Sequence, residues 1–254
     1  MKEKIAIKNI SKTFIQKNKT IEVLNNISFD FNEGEFVSIF GPNGCGKTTL
    51  LNIISGITQP DGGSISLNNN HDKIGIVFQD YLQSLLPWKT CLDNICFPLE
   101  AEKNNLPKED SRKIGIQLLD ELNIQLPLTN YPYQLSGGQK QLTCIVRSLI
   151  KKPKLLLLDE PFASLDYQTR LLLQDTIQEI WIKAGVTVVF ISHEIDEAIY
   201  LSDRLILLSK RPAEIKKIFD IPFPRPRTLA LHNNNDFLRL RSEVLENFKQ
   251  EVKE

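Results

Sequence analysis

The sequence predicts an α/β fold with a mostly parallel core sheet, an antiparallel β subdomain and a helical insertion, and three observations carry that reading. A strand over residues 35–40 runs into the glycine loop Gly41-Pro42-Asn43-Gly44-Cys45-Gly46-Lys47 and then into an apolar helical pattern at 50–54. A run of apolar residues at 155–158 leads directly into two carboxylates, Asp159 and Glu160. Strands at 154–159 and 186–192 alternate with helices near 139–150, 167–184 and 194–201, the order that gives a parallel sheet covered on both faces.

The remaining elements follow from local pattern. Alternating apolar residues at 5–10 and 23–31, separated by the polar stretch 17–20, predict an antiparallel hairpin. Pro, Asp, Gly and Asn cluster around 64–67, which predicts a short strand pair before a strand at 74–78. Helical periods at 92–99 and 113–122, flanked by Pro87, Pro98, Pro107 and Pro127, make the stretch 80–133 a helical insertion. The tail from Pro222 holds Pro222-Phe-Pro-Arg-Pro-Arg227, then an amphipathic helix near 235–252. The expected organisation is one domain over 1–254: a core with β subdomain at about 1–80 and 150–220, a helical insertion at about 81–149, and a tail helix within 221–254.

With 41% hydrophobic and 24% charged residues in 254, the composition is that of a globular chain able to bury a full core. The 31 Lys and Arg balance 31 Asp and Glu, so the clustered positive charge of a nucleic-acid binder is missing, and DNA and RNA are set aside as partners. No apolar run reaches the roughly 18 residues of a membrane span, and the first residues lack a signal-peptide core. The expected location is therefore the cytoplasm. Cys45, Cys91, Cys96 and Cys144 form no CxxC pair and are expected to be reduced thiols serving as small apolar residues.

Gly41-x-x-x-x-Gly46-Lys47-Thr48 matches the phosphate-binding loop pattern, in which glycines let consecutive backbone N–H groups point at the β- and γ-phosphates of a nucleotide. The helix beginning near Lys47 adds its positive end, Lys47 adds a point charge, and the Thr48 hydroxyl supplies a ligand for Mg²⁺. Asp159 and Glu160 emerge at the end of a buried strand, where open α/β sheets place their ligands. In that setting Asp159 would hold the Mg²⁺ shell, and Glu160 would orient or deprotonate the attacking water.

At Leu135-Ser136-Gly137-Gly138-Gln139 the chain resembles the signature of ABC-type ATPases, and the likeness extends over about residues 3–220. Gln79 follows a strand as a Q-loop glutamine does, Ser164-Leu165-Asp166 looks like the D-loop, and His193 in Ile-Ser-His-Glu looks like the switch histidine. Phe14 falls where the family stacks an aromatic ring on adenine; its alternative role is a hairpin core residue. The resemblance implies that residues 41–49, including Thr49, hold ATP, while Ser136, Gly137, Gly138, Gln139 and Asp166 complete the site of a second protomer. Catalytic roles fall to Glu160, His193 and Gln79, with Gln79 also sensing Mg²⁺, and an ATP-dependent homodimer follows. One departure is Leu142, where the family usually has a second basic residue; it removes a local salt bridge of the signature helix.

A narrower likeness lies in Leu85-Leu86-Pro87-Trp88-Lys89-Thr90, in the stretch 159–170, in Ser209-Lys-Arg-Pro212 and in Pro224-Arg-Pro-Arg227. These strings look like the subgroup that energises nitrate, sulfonate and taurine uptake, some relatives of which carry thiamine precursors; the Pro-Arg repeat also reads as an extended connector. What the resemblance implies is an ATPase on the inner face of the membrane, acting with transmembrane permease subunits and, through them, an extracytoplasmic solute-binding protein. The alternatives are the ATPase of an exporter or lipoprotein-release system and a non-transport nucleotidase, although the Asn-Lys-x-Asp guanine reader of a GTPase is missing. The stretch 79–99, with Tyr81, Leu82, Leu85, Leu86 and Trp88, is expected either to grip the permease or to pack within the insertion, Trp88 then being the most buried.

Overall fold

In the computed structural model, described for residues 4–16, 19–66, 74–80, 84–101 and 106–253, the chain divides into two compact units, 1–72 with 187–254, and 73–186. The described strands in chain order are β1 (Lys4–Gln16), β2 (Lys19–Asn32), β3 (Phe36–Phe40), β4 (Gly62–Ser66), β5 (Ile74–Val77), β6 (Leu155–Asp159), β7 (Thr187–Ile191), β8 (Arg204–Leu208) and β9 (Ile215–Asp220). The helices are α1 (Lys47–Ile54), α2 (Cys91–Glu100), α3 (Lys108–Leu122), α4 (Gly137–Leu149), α5 (Tyr167–Ala184), α6 (Ile195–Leu201) and α7 (Asn235–Lys253).

In the first unit β1 and β2 form one long antiparallel hairpin, paired from Lys4 with Asn32 to Gln16 with Lys19. Among the described residues the cluster near 64–67 contributes one strand, β4, that pairs antiparallel onto β1, with Ile7 opposite Ile65. Leu67 lies outside the described residues. β3 lies between β7 and β8 and is parallel to both. Every residue of β3 and β7 is buried, as befits strands covered on both faces. The one hydroxyl in β3, Ser38, is satisfied by Ser202 at 3.0 Å.

Two strands of this unit, β8 and its antiparallel partner β9, are absent from the sequence-based reading. The tail also departs from it. The Pro-Arg repeat is anchored rather than a free connector: Arg227, 4% exposed, donates to the carbonyls of Ile199 and Tyr200 at 2.9 Å and of Ser202 at 2.7 Å. Arg225 pairs with Asp203 at 3.0 Å and bonds the Leu201 carbonyl. The two guanidinium groups thus satisfy the carbonyls that the end of α6 leaves without helical donors. Helix α7 then lays Phe237 and Val244 against Phe40, Ala198, Ile199, Leu205 and Leu207, and the Phe248 ring sits 5.0 Å from that of Phe40.

In the second unit β5 pairs parallel with β6, Ile74 opposite Leu155 through Val77 opposite Leu158. Helix α2 is capped by Thr90, whose side chain accepts from the Asp93 amide at 3.2 Å. Asp93 also receives Lys108 at 3.1 Å and Arg112 at 2.8 Å from α3, joining the two helices. Burial alone would raise the Asp93 pKa, but those two cations outweigh it and hold the carboxyl below its ordinary range. All four cysteines are buried as thiols outside any disulfide.

Candidate active site

The first unit carries the phosphate loop. β3 delivers Phe40 buried, the loop follows, and α1 begins at Lys47 with the Leu50 amide bonding the Gly46 carbonyl at 2.9 Å. Gly46 is required twice over: its φ of +127° disfavours any side chain, and a Cβ there would lie 2.8 Å from Val23 Cγ1 and 2.9 Å from Leu24 Cδ2. Lys47, 5% exposed, folds back over the loop and donates to the carbonyls of Gly41 at 2.8 Å and Pro42 at 3.0 Å. Helix α1 has no side-chain cap and no acidic residue in its first turn. Its first N–H groups therefore lack the usual protein acceptors, and the positive helix end faces the loop without a compensating carboxylate. Thr48, Asn43 and Gly44 are exposed and Thr49 is half-buried, while burial pushes the Cys45 thiol up against the opposing charge of Lys47.

Phe14, opposite Ile21 in the hairpin, is 42% exposed, with the Lys12 ammonium 5.4 Å from its ring centroid. It is not a core residue of the hairpin, and its ring can receive a flat ligand. His193 is exposed just beyond β7. The turn around it is fixed by Ser192, whose hydroxyl accepts from the Glu194 amide at 3.0 Å and donates to the Glu197 carboxylate.

The second unit carries the carboxylates. Asp159 is 2% and Glu160 7% exposed at the end of β6. Gln79, two residues past β5, donates from Nε2 to Glu160 Oε2 at 2.9 Å, so the two residues are brought together. In the signature, Ser136 caps α4: its hydroxyl accepts from the Gln139 amide at 3.3 Å, and the Gln139 side chain accepts from the Ser136 amide at 2.9 Å. Gln139 is thereby committed to holding the helix start, and the Ser136 side chain remains on the surface. Gly138 is small by necessity, since a Cβ there would meet Thr169 Cγ2 at 2.7 Å. Asp166 caps α5, accepting from the Thr169 amide at 3.0 Å, and hydrogen bonds from Thr169 hold its carboxyl below the usual range. Leu142 is half-buried on α4.

The loop before α2 reverses one expectation. Trp88 is 71% exposed and Leu85 3%, because the fully buried Asn94 organises the turn: it accepts from the Leu86 amide at 2.8 Å and donates to the carbonyls of Leu86, Lys89 and Thr90. That turn directs Leu85 inward and leaves Trp88 outside. Tyr81 and Leu82 lie outside the described residues. A further residue was read only for resemblance: Arg211, in the Ser-Lys-Arg-Pro turn, donates to the Gly44 carbonyl of the phosphate loop.

The strand and uncapped phosphate loop of the first unit and the strand-end acid pair of the second are each features of nucleotide-hydrolysing P-loop proteins. Residues 24–163 match the ABC transporter family, and the chain belongs to that family as an ATP-binding, ATP-hydrolysing subunit. It is 36% identical over 250 residues to the aliphatic sulfonates import ATP-binding protein SsuB of Bacillus cereus, covering 96% of each chain. It is 38% identical over 253 residues to the nitrate transport protein NasD of Klebsiella oxytoca, again covering 96% of each. The dimeric post-hydrolysis structure of the ATP-binding cassette MJ0796 bound to ADP and Pi is similar at a TM-score of 0.73, with 31% identity, 87% of this chain and 100% of that one. Among the described residues no helix is long and apolar enough to cross a membrane.

Proposed function

We propose that this chain couples ATP hydrolysis to the uptake of a small oxyanion or sulfonate through a permease at the inner face of the membrane, in concert with an extracytoplasmic solute-binding protein. Taurine and thiamine precursors belong to the same candidate set. The similarity to SsuB and NasD over nearly the whole chain supports the importer reading. The observation that carries the chemistry is α1, whose first turn has neither a side-chain cap nor an acidic residue and is paired with the folded-back Lys47.

In this reading the amides of residues 44–49 and Lys47 hold the phosphates, and Phe14 stacks on the base, a contact worth roughly 1–3 kcal/mol in nucleic-acid complexes. Glu160 takes or orients the proton of the attacking water, and Gln79 keeps that carboxylate aimed. His193 meets the γ-phosphate. Thr48, Asp159 and Gln79 each carry an oxygen of the kind Mg²⁺ takes and are the residues that would hold it; when bound it would supply charge neutralisation at the phosphates. Ser136, Gly137 and Gly138 at the positive end of α4, with Asp166 at the start of α5, serve the γ-phosphate of ATP on a second copy.

Light scattering on the Glu160→Gln protein tests this. It is expected to run as a monomer without nucleotide and as a dimer with Mg-ATP, and Ser136→Arg added to it should abolish the shift. A nucleotide-independent oligomer in both proteins refutes the shared site.

A further inference from the structure

We infer that Arg211 is a positioning residue of the phosphate loop: by holding the Gly44 carbonyl it sets the plane of the Gly44–Cys45 peptide and keeps the Cys45 N–H turned toward the bound phosphates. The inference rests on the reading of residues 41–48 as the phosphate cradle.

The turn that carries Arg211 is rigid. Between β8 and β9, the Ser209 amide bonds the Glu214 carbonyl at 2.9 Å, the Ser209 hydroxyl accepts from the Glu214 amide at 2.9 Å, and the same hydroxyl donates to the Lys210 carbonyl at 2.8 Å. The turn is also locked to β2. The Ala213 amide bonds the Val23 carbonyl at 2.9 Å, the Asn25 amide bonds the Ala213 carbonyl at 2.9 Å, and Asn25 Nδ2 donates to Glu214 at 2.7 Å. β2 is the strand whose Val23 and Leu24 press on Gly46 at the other end of the phosphate loop. The base of Arg211 and the start of α1 therefore share one support.

From that base the guanidinium reaches the tip of the loop. Arg211 Nη2 donates to the Gly44 carbonyl, and a Cβ at Gly44 would lie 3.9 Å from it. Gly44 has φ +72°, so its own backbone accepts either orientation of the following peptide without steric penalty. Something else must choose. A trans peptide points its C=O and the next N–H in opposite directions. Fixing the Gly44 oxygen outward on Arg211 therefore sends the Cys45 N–H inward, where it meets the Pro42 carbonyl at 3.3 Å, a long and weak contact. A phosphate oxygen is a stronger acceptor for that N–H, so the donor is held in place and lightly engaged until nucleotide arrives. Arg211 is surface-exposed and its removal takes away no core packing.

The test compares wild type with Arg211→Ala and, as a control on the underlying reading, Lys47→Ala, using the full chain with Mg-ATP and Mg-ADP in calorimetry and steady-state phosphate release. Arg211→Ala is expected to raise the KM and Kd for ATP about tenfold, to raise the Kd for ADP by a similar factor, and to leave kcat at saturating ATP and the melting temperature unchanged. The ratio to wild type should persist from about 50 mM to about 500 mM salt, because a fixed peptide plane is not screened as an exposed charge is. Four results overturn the inference: unchanged nucleotide affinity, a loss confined to ATP, a ratio that collapses toward one at high salt, or a fall in kcat in step with a lowered melting temperature. The second and third would make Arg211 a direct phosphate contact, and the fourth a purely structural residue. If Lys47→Ala leaves ATP binding intact, the phosphate-cradle reading itself fails; if Lys47→Ala abolishes binding while Arg211→Ala matches wild type, only the present inference does.

Discussion

Gln79 and Glu160 come from the ends of two paired strands and meet through one hydrogen bond, Nε2 to Oε2, at 2.9 Å. Glu160 has φ +47°, an unfavourable backbone conformation for a residue with a side chain that costs about 1–3 kcal/mol. Such strain persists only where neighbours impose it, and here it turns a 7% exposed carboxylate off the end of β6 with one oxygen engaged by an amide. Its backbone conformation and its contact with Gln79 together fix where that carboxylate stands.

Glu160→Gln is expected to lower steady-state phosphate release by about 10²–10⁴-fold with ATP binding retained. Gln79→Ala should lower kcat by a smaller factor, since it frees the carboxylate without removing it. Wild-type turnover in Glu160→Gln would end the catalytic assignment.

Gly138→Ala places a methyl 2.7 Å from Thr169 Cγ2 and should destabilise by about 1–3 kcal/mol. Thr169→Ser removes that methyl and keeps both the hydroxyl and the amide that Asp166 accepts. Melting curves of the double variant should recover most of the loss, a non-additive pair. An additive double variant would show that the clash is not the cause.

Asp93 gives a pH signature. Its pKa is depressed in the folded chain, so its contribution is complete above the unfolded value near 3.9 and is lost as pH falls through the lower folded value. Urea titrations should find Asp93→Asn less stable than wild type at pH 7, with the gap closing only below about pH 4. A gap that closes between pH 5 and 7 would assign the effect to another group.

Leu85 and Trp88 should separate cleanly. Leu85→Glu buries a carboxylate at a 3% exposed position and is expected to lower the melting temperature sharply. Trp88→Ala removes a 71% exposed ring and should leave folding and basal ATPase intact while weakening co-purification with the permease. Full permease association in Trp88→Ala would remove this loop from the docking surface.

The phosphate loop and the acid pair stood out in the sequence because their residue types are distinctive: only glycine tolerates φ +127° beside Val23, and an all-apolar run ends abruptly on two carboxylates at 159 and 160. β8 was missed although Arg204-Leu-Ile-Leu-Leu208 is a buried-strand run, because only Ser202 and Asp203 separate it from α6. β9 alternates weakly and carries Lys216 and Lys217 outward, a pattern close to that of a loop. Which side of an apolar loop faces inward was beyond the sequence, since Asn94, a polar residue inside a helix, decides it through four hydrogen bonds. The Pro-Arg repeat was seen but not its role, because one buried and one half-buried guanidinium group are satisfied by carbonyls that no composition reveals.

The packing of Phe248 on Phe40 joins points about two hundred residues apart, which has a consequence in time rather than in space. Contacts of such long sequence separation form late, after the loop-closure entropy between them has been overcome. Phe40 is the last residue of β3 and stands directly before Gly41, so the strand that delivers the phosphate loop gains its final cover from α7. Nascent or truncated chains lacking residues 235–253 would carry every phosphate-contacting residue of the loop without the finished support beneath it. The nucleotide affinity of the loop is therefore expected to depend on α7, and calorimetry on a chain truncated before residue 235 checks it.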